Sequence, residues 1–250
     1  MAEVPLRIAL EDEEASRRLG EDIAAVLAPG DAILLSGDLG MGKTTLARAV
    51  IRALAGDPAL EVPSPTFTLV QAYDARVPVQ HFDLYRIASP DELEELGLLE
   101  ATKEGVVLVE WPERAAGALP ADTVTVALSE SGTGGRAAEI SGPRDFMSRL
   151  GRSLAIRAFL DAAGFRDGSR RFLIGDASAR AYETVSRPGR EDVILMNAPR
   201  RPDGPPIRDG RPYSQIAHLA ESVVPFVAIA KVLRGEGFAA PDIFAAALDA

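Results

Sequence analysis

Apolar positions recur along this chain at two spacings, and the two alternate. Leu6–Leu10 reads as an edge strand, and the unbroken run Ala32–Leu35 as a short buried one. Between them Leu19, Ile23, Val26 and Leu27 share one helical face, so a helix is expected over Glu13–Leu27, ended by Pro29-Gly30. Leu46, Ala49, Val50, Ala53 and Leu54 repeat at helical spacing again. Leu69–Tyr73, Val79–Leu84 and the apolar run Val106–Val109 are further strands. Ser89-Pro90 opens a helix, with Ser89 as its cap and Asp91, Glu92, Glu94 and Glu95 in its first turns, where the helix dipole favours negative charge. Asp122–Leu128 alternates as a half-buried strand does, and Arg136–Ile140 can pair with it across the Gly132–Gly135 turn. Arg144–Ala163 reads as a helical connector interrupted at Gly151. After it, Phe172–Ile174, Ala181–Ser186 and Asp192–Met196 read as short strands, Pro199–Pro212 as a loop, and Tyr213–Arg234 as a helix kinked at Pro225.

The chemistry concentrates where the first buried strand meets the second helix. Gly37–Thr44 fits G-x-x-x-x-G-K-[ST], the phosphate-binding loop pattern. Glycines at 37, 40 and 42 let the backbone wrap closely with its N–H groups inward, forming an anion nest, and the following helix adds its positive end. Lys43 can reach the β- and γ-phosphates, and the Thr44 hydroxyl can ligate Mg²⁺. Downstream, Pro63 and Pro65 stiffen a loop whose hydroxyls, Thr66 among them, stand where a phosphate sensor is often placed; an ordinary turn-forming loop is the alternative. Glu110 follows the Val106–Val109 strand, the position of the acid that holds Mg²⁺ in such proteins, and Asp83 lies near the end of another strand.

Composition narrows the possibilities. The chain has 250 residues, no cysteine and two histidines, which excludes disulfides, thiolate sites and cysteine nucleophiles and disfavours a histidine metal cluster. No apolar run approaches a membrane span, and the acidic N-terminus lacks a signal-peptide core, so a cytoplasmic protein is expected. Residues 1–150 hold 13 Lys+Arg against 25 Asp+Glu, a balance of −12, while residues 151–250 hold 14 against 12, a balance of +2. That shift predicts two units, 1–150 and 151–250, and argues against the first gripping a nucleic-acid backbone alone.

Four blocks in order carry a family resemblance: GDLGMGKTT at Gly37–Thr45, SPTFTLV at Ser64–Val70, HFDLYR at His81–Arg86, and LVEWPER at Leu108–Arg114. In these, residues 1–150 resemble the TsaE family, bacterial ATPases needed to make threonylcarbamoyladenosine on tRNA. The resemblance implies a three-layer α/β P-loop NTPase fold, ATP with Mg²⁺ as cofactors, and work alongside the TsaB and TsaD proteins, with tRNA reached through that complex. It also implies roles. Asp38, Leu39, Gly40, Met41, Gly42, Lys43, Thr44 and Thr45 would line the phosphates. Thr44, Glu110 and Asp83 would serve the metal, with Asp83 alternatively positioning the attacking water. Thr66 would sense phosphate. Trp111, Glu13 and Arg136 would contact the nucleotide, core packing being the other reading of Trp111. Lys43, Asp83 and Glu110 would be the catalytic set.

Gly175–Tyr182, followed by Val193–Pro199, is similar to the start of aminoglycoside-phosphotransferase-like kinases, including sugar-kinase members fused behind TsaE. This implies a truncated α+β kinase-like N-terminal lobe. No lysine occupies the Val193–Pro199 strand, and neither an H-x-D…N catalytic loop nor a later metal aspartate follows, so phosphoryl transfer by this second unit is not expected. For the first unit three functions compete: a slow ATPase driving a partner's modification cycle, a nucleotide-gated assembly module in which hydrolysis is incidental, and a small-metabolite P-loop kinase. The last would carry an Arg-rich lid, and residues 1–150 show no arginine cluster.

Overall fold

The computed structural model describes residues 4–87, 90–115, 119–120, 122–132, 134–173, 180–199, 204–212, 216 and 222–248. The chain forms two compact units, Met1–Arg157 with Ser169–Arg171, and Ala158–Gly168 with Phe172–Ala250.

The first unit is built on seven strands: β1 (Leu6–Leu10), β2 (Ala32–Ser36), β3 (Val70–Tyr73), β4 (Val79–Asp83), β5 (Val106–Glu110), β6 (Thr123–Glu130) and β7 (Arg136–Ser141), in the order β1-β7-β6-β2-β5-β4-β3. The centre is parallel, β2 pairing with both β5 and β6, and β4 with β5; β1/β7, β6/β7 and β3/β4 are antiparallel. Alternation along the central strands explains why their sequences read as continuous apolar runs, since both faces are covered. Ile33, Leu35, Val106 and Leu108 point into one core, with α1 (Glu13–Val26), α2 (Lys43–Ala55) and the start of α5 (Arg144–Ala162). Ala32, Leu34, Val107 and Val109 point into a second core, with α3 (Pro90–Glu95) and α4 (Leu98–Glu104). Leu35, Leu46, Ile51 and Leu108 are at most 1% exposed, and complete burial of such a side chain contributes about 1.5–3 kcal/mol.

The helix ends follow local chemistry. Asp12 caps α1, its carboxylate accepting from the Ala15 N–H at 2.7 Å, with Glu13 and Glu14 in the first turn. Gly56, in the left-handed region, ends α2. Gly151 does not interrupt α5. It is exposed, and the helix runs through it because Phe146 and Leu150 before it and Ile156 and Leu160 after it are buried; packing outweighs the glycine cost of about 1 kcal/mol. Ser89, the expected cap of α3, lies outside the described residues.

Where α1, α5 and residue 170 meet, charge is buried. Asp22 accepts from Arg157 Nε at 3.1 Å, Arg170 Nη1 at 2.5 Å and Ser153 Oγ at 3.2 Å, and Glu21 accepts from Arg157 Nη2 at 2.9 Å. All five residues are at most 8% exposed.

β8 (Ser169–Leu173) begins in the first unit and ends in the second, where β9 (Ala181–Ser186) pairs antiparallel with β10 (Val193–Asn197). The expected loop over Pro199–Pro212 contains a hairpin, β11 (Pro206–Arg208) with β12 (Arg211–Pro212). Asp209 and Gly210 turn it with φ of 51° and 70°, the positive pair that a two-residue hairpin with a primed turn requires and that Asp-Gly supplies. The last helix, α6, begins at Val224 with Pro225 in its first turn, so the proline starts it rather than kinking it. The expected helical start near Tyr213 and the stretch at 174–179 lie outside the described residues. Among those described, no helix is long and apolar enough to cross a membrane.

The buried charges yield a prediction. Arg170→Met should destabilise the first unit by roughly 3 kcal/mol, because part of the Asp22 charge is left uncompensated. Ending the chain at residue 150, which removes Ser153, Arg157 and Arg170 together, should cost more. Urea unfolding followed by circular dichroism measures both, and unchanged midpoints would show that water, not the arginines, satisfies these carboxylates.

Candidate nucleotide site

The site forms at the carboxyl ends of the parallel strands, where β2 gives way to a loop and α2. Gly37 opens the loop with φ 132°, and a Cβ there would collide with the Leu128 carbonyl of β6. Gly42 caps α2 with φ 96°, a conformation that disfavours side chains, and a Cβ there would meet Arg136 Nη1 at 2.9 Å. The loop therefore lies close against β6 on one side and the Arg136 guanidinium on the other. Arg136, at the start of β7, is itself exposed.

Lys43 is 4% exposed. Its ammonium donates to the Gly37 and Asp38 carbonyls at 2.5 and 2.9 Å and sits 3.6 Å from the centre of the Trp111 ring. Burial holds its pKa below the ordinary lysine value, although Glu110, Glu113, Asp83 and Asp38 pull the other way. Trp111 has φ 58°, and its ring packs 5.0 Å from that of Tyr85, tilted by 51°; the Tyr85 ring in turn faces Arg114.

Alternation brings the acids together. On β4 and β5, Val79, Val106 and Leu108 face the core of α1 and α2, and the same period of two turns His81, Asp83 and Glu110 toward that side. Asp83 lies opposite Glu110 in the β4/β5 register. Glu110 Oε2 accepts from the Thr44 hydroxyl at 2.9 Å, and Oε1 lies 2.9 Å from His81 Nε2. Asp83 Oδ2 accepts from the Ser64 and Thr66 hydroxyls, both at 2.8 Å, and Oδ1 from the Tyr85 N–H at 3.0 Å. Glu110 and Asp83 are 2% and 3% exposed.

Of the expected site residues, the structure brings Lys43, Thr44, Glu110 and Trp111 together with the Gly37–Gly42 loop, and joins Thr66 to Asp83. Asp38, Leu39 and Gly40 form the exposed tip, Met41 packs against the first core, and Thr45 is half-buried at the start of α2. Glu13 is exposed in the first turn of α1. Three residues escaped the reading of the sequence as site residues: His81, Ser64 and Tyr85. Ser64 lies two residues before Thr66 and Tyr85 two residues after Asp83 in the turn that follows β4, while His81 lies two residues before Asp83 on β4, a strand period that would have pointed to it.

The oxygen donors Thr44, Glu110 and Asp83 suit Mg²⁺, a hard cation usually bound by one or two carboxylates plus substrate phosphates. No group of three or more His, Asp or Glu side chains among the described residues could hold a metal, which fits an ion shared with a phosphate ligand rather than caged by protein.

Comparison with known proteins bears on the first unit. Residues 10–138 match the family model "Threonylcarbamoyl adenosine biosynthesis protein TsaE". A Rickettsia conorii protein named tRNA threonylcarbamoyladenosine biosynthesis protein TsaE is 43% identical over 105 residues, 42% of this chain and 59% of its own length. The chain thus spans about three fifths of that relative. The Rickettsia bellii protein of the same name is 40% identical over 120 residues, 48% of this chain and 83% of its own length. The solved structure described as Bacillus subtilus YdiB superposes with a TM-score of 0.53 at 26% identity, over 62% of this chain and 97% of that one.

The single tryptophan gives a direct reading of the site. Lys43→Met should change Trp111 emission in the ligand-free protein, because the ammonium under the ring is removed; an unchanged spectrum would mean that the lysine does not rest there in solution. The glycine loop with its buried lysine, the acids gathered at the ends of β4 and β5, and the matched residues 10–138 together show that the chain belongs to the TsaE family.

Proposed function

We propose that this protein is a Mg²⁺-dependent ATPase that serves threonylcarbamoyladenosine formation on tRNA, acting with TsaB and TsaD. One observation carries the reading: the Lys43 ammonium is held on carbonyls of the Gly37–Gly42 loop, and the next residue, Thr44, donates to the buried Glu110 carboxylate. The loop N–H groups and the end of α2 bind phosphate oxygens. Lys43 exchanges its two carbonyl partners for phosphate. Thr44, Glu110 and Asp83 would hold Mg²⁺, which when bound neutralises charge on the transferring phosphoryl group. Asp83 also stands where it can orient a water. Trp111 covers Lys43 and keeps bulk water from it. Arg136 supplies positive charge beside Gly42. Phosphoryl transfer to water needs positioning and charge neutralisation more than covalent chemistry, and a partner that completes the site would raise a slow intrinsic rate.

A specific observation favours a second reading. Ser64 and Thr66 are held by Asp83 alone among the site's acids, and Phe67 beside them is 87% exposed. A nucleotide that drew Asp83 away would release this loop, so ATP could gate partner assembly with hydrolysis incidental. Multiple turnovers of tRNA modification supported by a Glu110→Ala variant that binds but does not hydrolyse ATP would favour this gate over the ATPase cycle. The second unit is read as the N-terminal part of an aminoglycoside-phosphotransferase-like kinase, inactive by itself; the antiparallel pair β9 and β10 supports that reading.

Reconstitution with TsaB, TsaD and tRNA tests the main proposal. Glu110→Gln should retain ATP binding in EDTA and lose about 10²–10³-fold in Mg²⁺-dependent turnover, with modified adenosine falling in parallel. Lys43→Ala should abolish tight ATP binding by calorimetry. Near-normal turnover in the first, or undiminished affinity in the second, would refute the assignment.

A further inference from the structure

His81 is completely buried, at 0% exposure. An ionised carboxylate can only accept hydrogen bonds, so the 2.9 Å contact to Glu110 Oε1 requires the proton on His81 Nε2. The other ring nitrogen, Nδ1, is buried with no hydrogen-bond partner among the described residues. A buried polar group is normally satisfied, and a leucine at this β4 position would fill the core without an orphaned nitrogen. The imidazole therefore spends its one hydrogen bond on Glu110. Asp83, two residues along the same strand face, has a separate set of donors in Ser64, Thr66 and the Tyr85 N–H. Each carboxylate at this end of the sheet has its own fixture, and for Glu110 that fixture is His81.

We propose that His81 is a positioning residue: its Nε2–H pins Oε1 of Glu110 so that Oε2 is presented beside the Thr44 hydroxyl, fixing the carboxylate where the metal ion would bind. The proposal rests on the reading of Glu110 and Thr44 as metal ligands. A hydroxyl has lone pairs to offer a cation while its proton stays on Oε2, so Thr44 would hold one oxygen of the carboxylate and His81 the other. A hydrogen bond to a ligating carboxylate acts on metal affinity, not on the loop that holds the phosphates. His81 should therefore affect the metal and leave the nucleotide itself untouched.

The test compares three full-length variants. His81→Met has similar reach and no donor. His81→Gln places an amide N–H near the position of Nε2. His81→Asn carries the same amide too short to reach. Mn²⁺ binding to the ATP-loaded protein is measured by electron paramagnetic resonance, and ATP binding in EDTA by calorimetry. His81→Met should weaken Mn²⁺ binding about 10–100-fold, with ATP binding in EDTA unchanged, and His81→Gln should restore most of the loss. Met and Gln variants that bind Mn²⁺ equally well, or lose it equally, would overturn the proposal. Should His81→Met not fold, the Asn and Gln pair decides: a stronger Mn²⁺ site in Gln supports it, and equal sites overturn it. Glu110→Gln in the same assay separates the two levels. Mn²⁺ affinity unchanged there sinks the metal reading together with this one, whereas affinity lost there but kept in His81→Met sinks the role of His81 alone. Nitrogen-15 spectra of the ligand-free protein should show His81 protonated at Nε2 and bare at Nδ1; the opposite tautomer would also overturn it.

Discussion

Everything at this site follows from the need to satisfy two carboxylates buried at the ends of adjacent parallel strands. An isolated carboxylate in the interior costs far more than a fold of this size can spare. Glu110 and Asp83 can stay only because each meets hydrogen-bond donors from several elements: Thr44 from α2 and His81 from β4 for the first, the 64–66 loop and the Tyr85 amide for the second. Those donors fix the register of β4 against β5, the position of α2 over the sheet, and the path of the proline-stiffened loop. The chemistry and the fold are in this sense the same set of hydrogen bonds.

Much of this was legible in the sequence because it depends on local rules. The loop at Gly37–Thr44 is contiguous, and the central strands announce themselves as unbroken apolar runs because both faces are covered. Even the pairing of Arg136–Ser141 with Thr123–Glu130 followed from two alternating segments and a glycine turn. What stayed hidden depends on tertiary packing or on weak local signals. Gly151 reads as a breaker, yet the buried residues around it carry α5 straight through. Asp209-Gly210 marks a hairpin, but prolines and charges around it read as loop. His81 looks like one more polar residue in a strand until the fold sets it against Glu110, 29 positions away. The Asp22 cluster draws on residues up to 149 positions apart, and no window of sequence contains it.

The buried charges near Asp22 and those near Glu110 illustrate opposite uses of the same expense. Asp22 and Glu21 are matched by the full charges of Arg157 and Arg170, and an arrangement of that kind adds little net stability over a well-packed apolar core. Its effect is to make one docking of α5 on α1 far better than any shifted one. Glu110 and Asp83 have mostly neutral donors instead, namely hydroxyls, an imidazole and an amide.

Lys43 completes that balance. Its ammonium is desolvated, and burial outweighs the four surrounding carboxylates in setting its pKa. It is held by two carbonyls and by the indole face of Trp111, a contact that strengthens where water is excluded, to about 2 kcal/mol or more. Trp111 pays for its position in backbone strain. Its φ of 58° ends the extended strand immediately after the acid. The ring can then lean on the second core and on Tyr85 while its face covers the lysine. Left-handed backbone at a bulky residue costs on the order of 1–3 kcal/mol and persists only where the surroundings over-determine it. Here the surroundings are the Lys43 ammonium, the Tyr85 ring, the second core and the Leu35 carbonyl, which accepts from the Trp111 N–H at 3.3 Å.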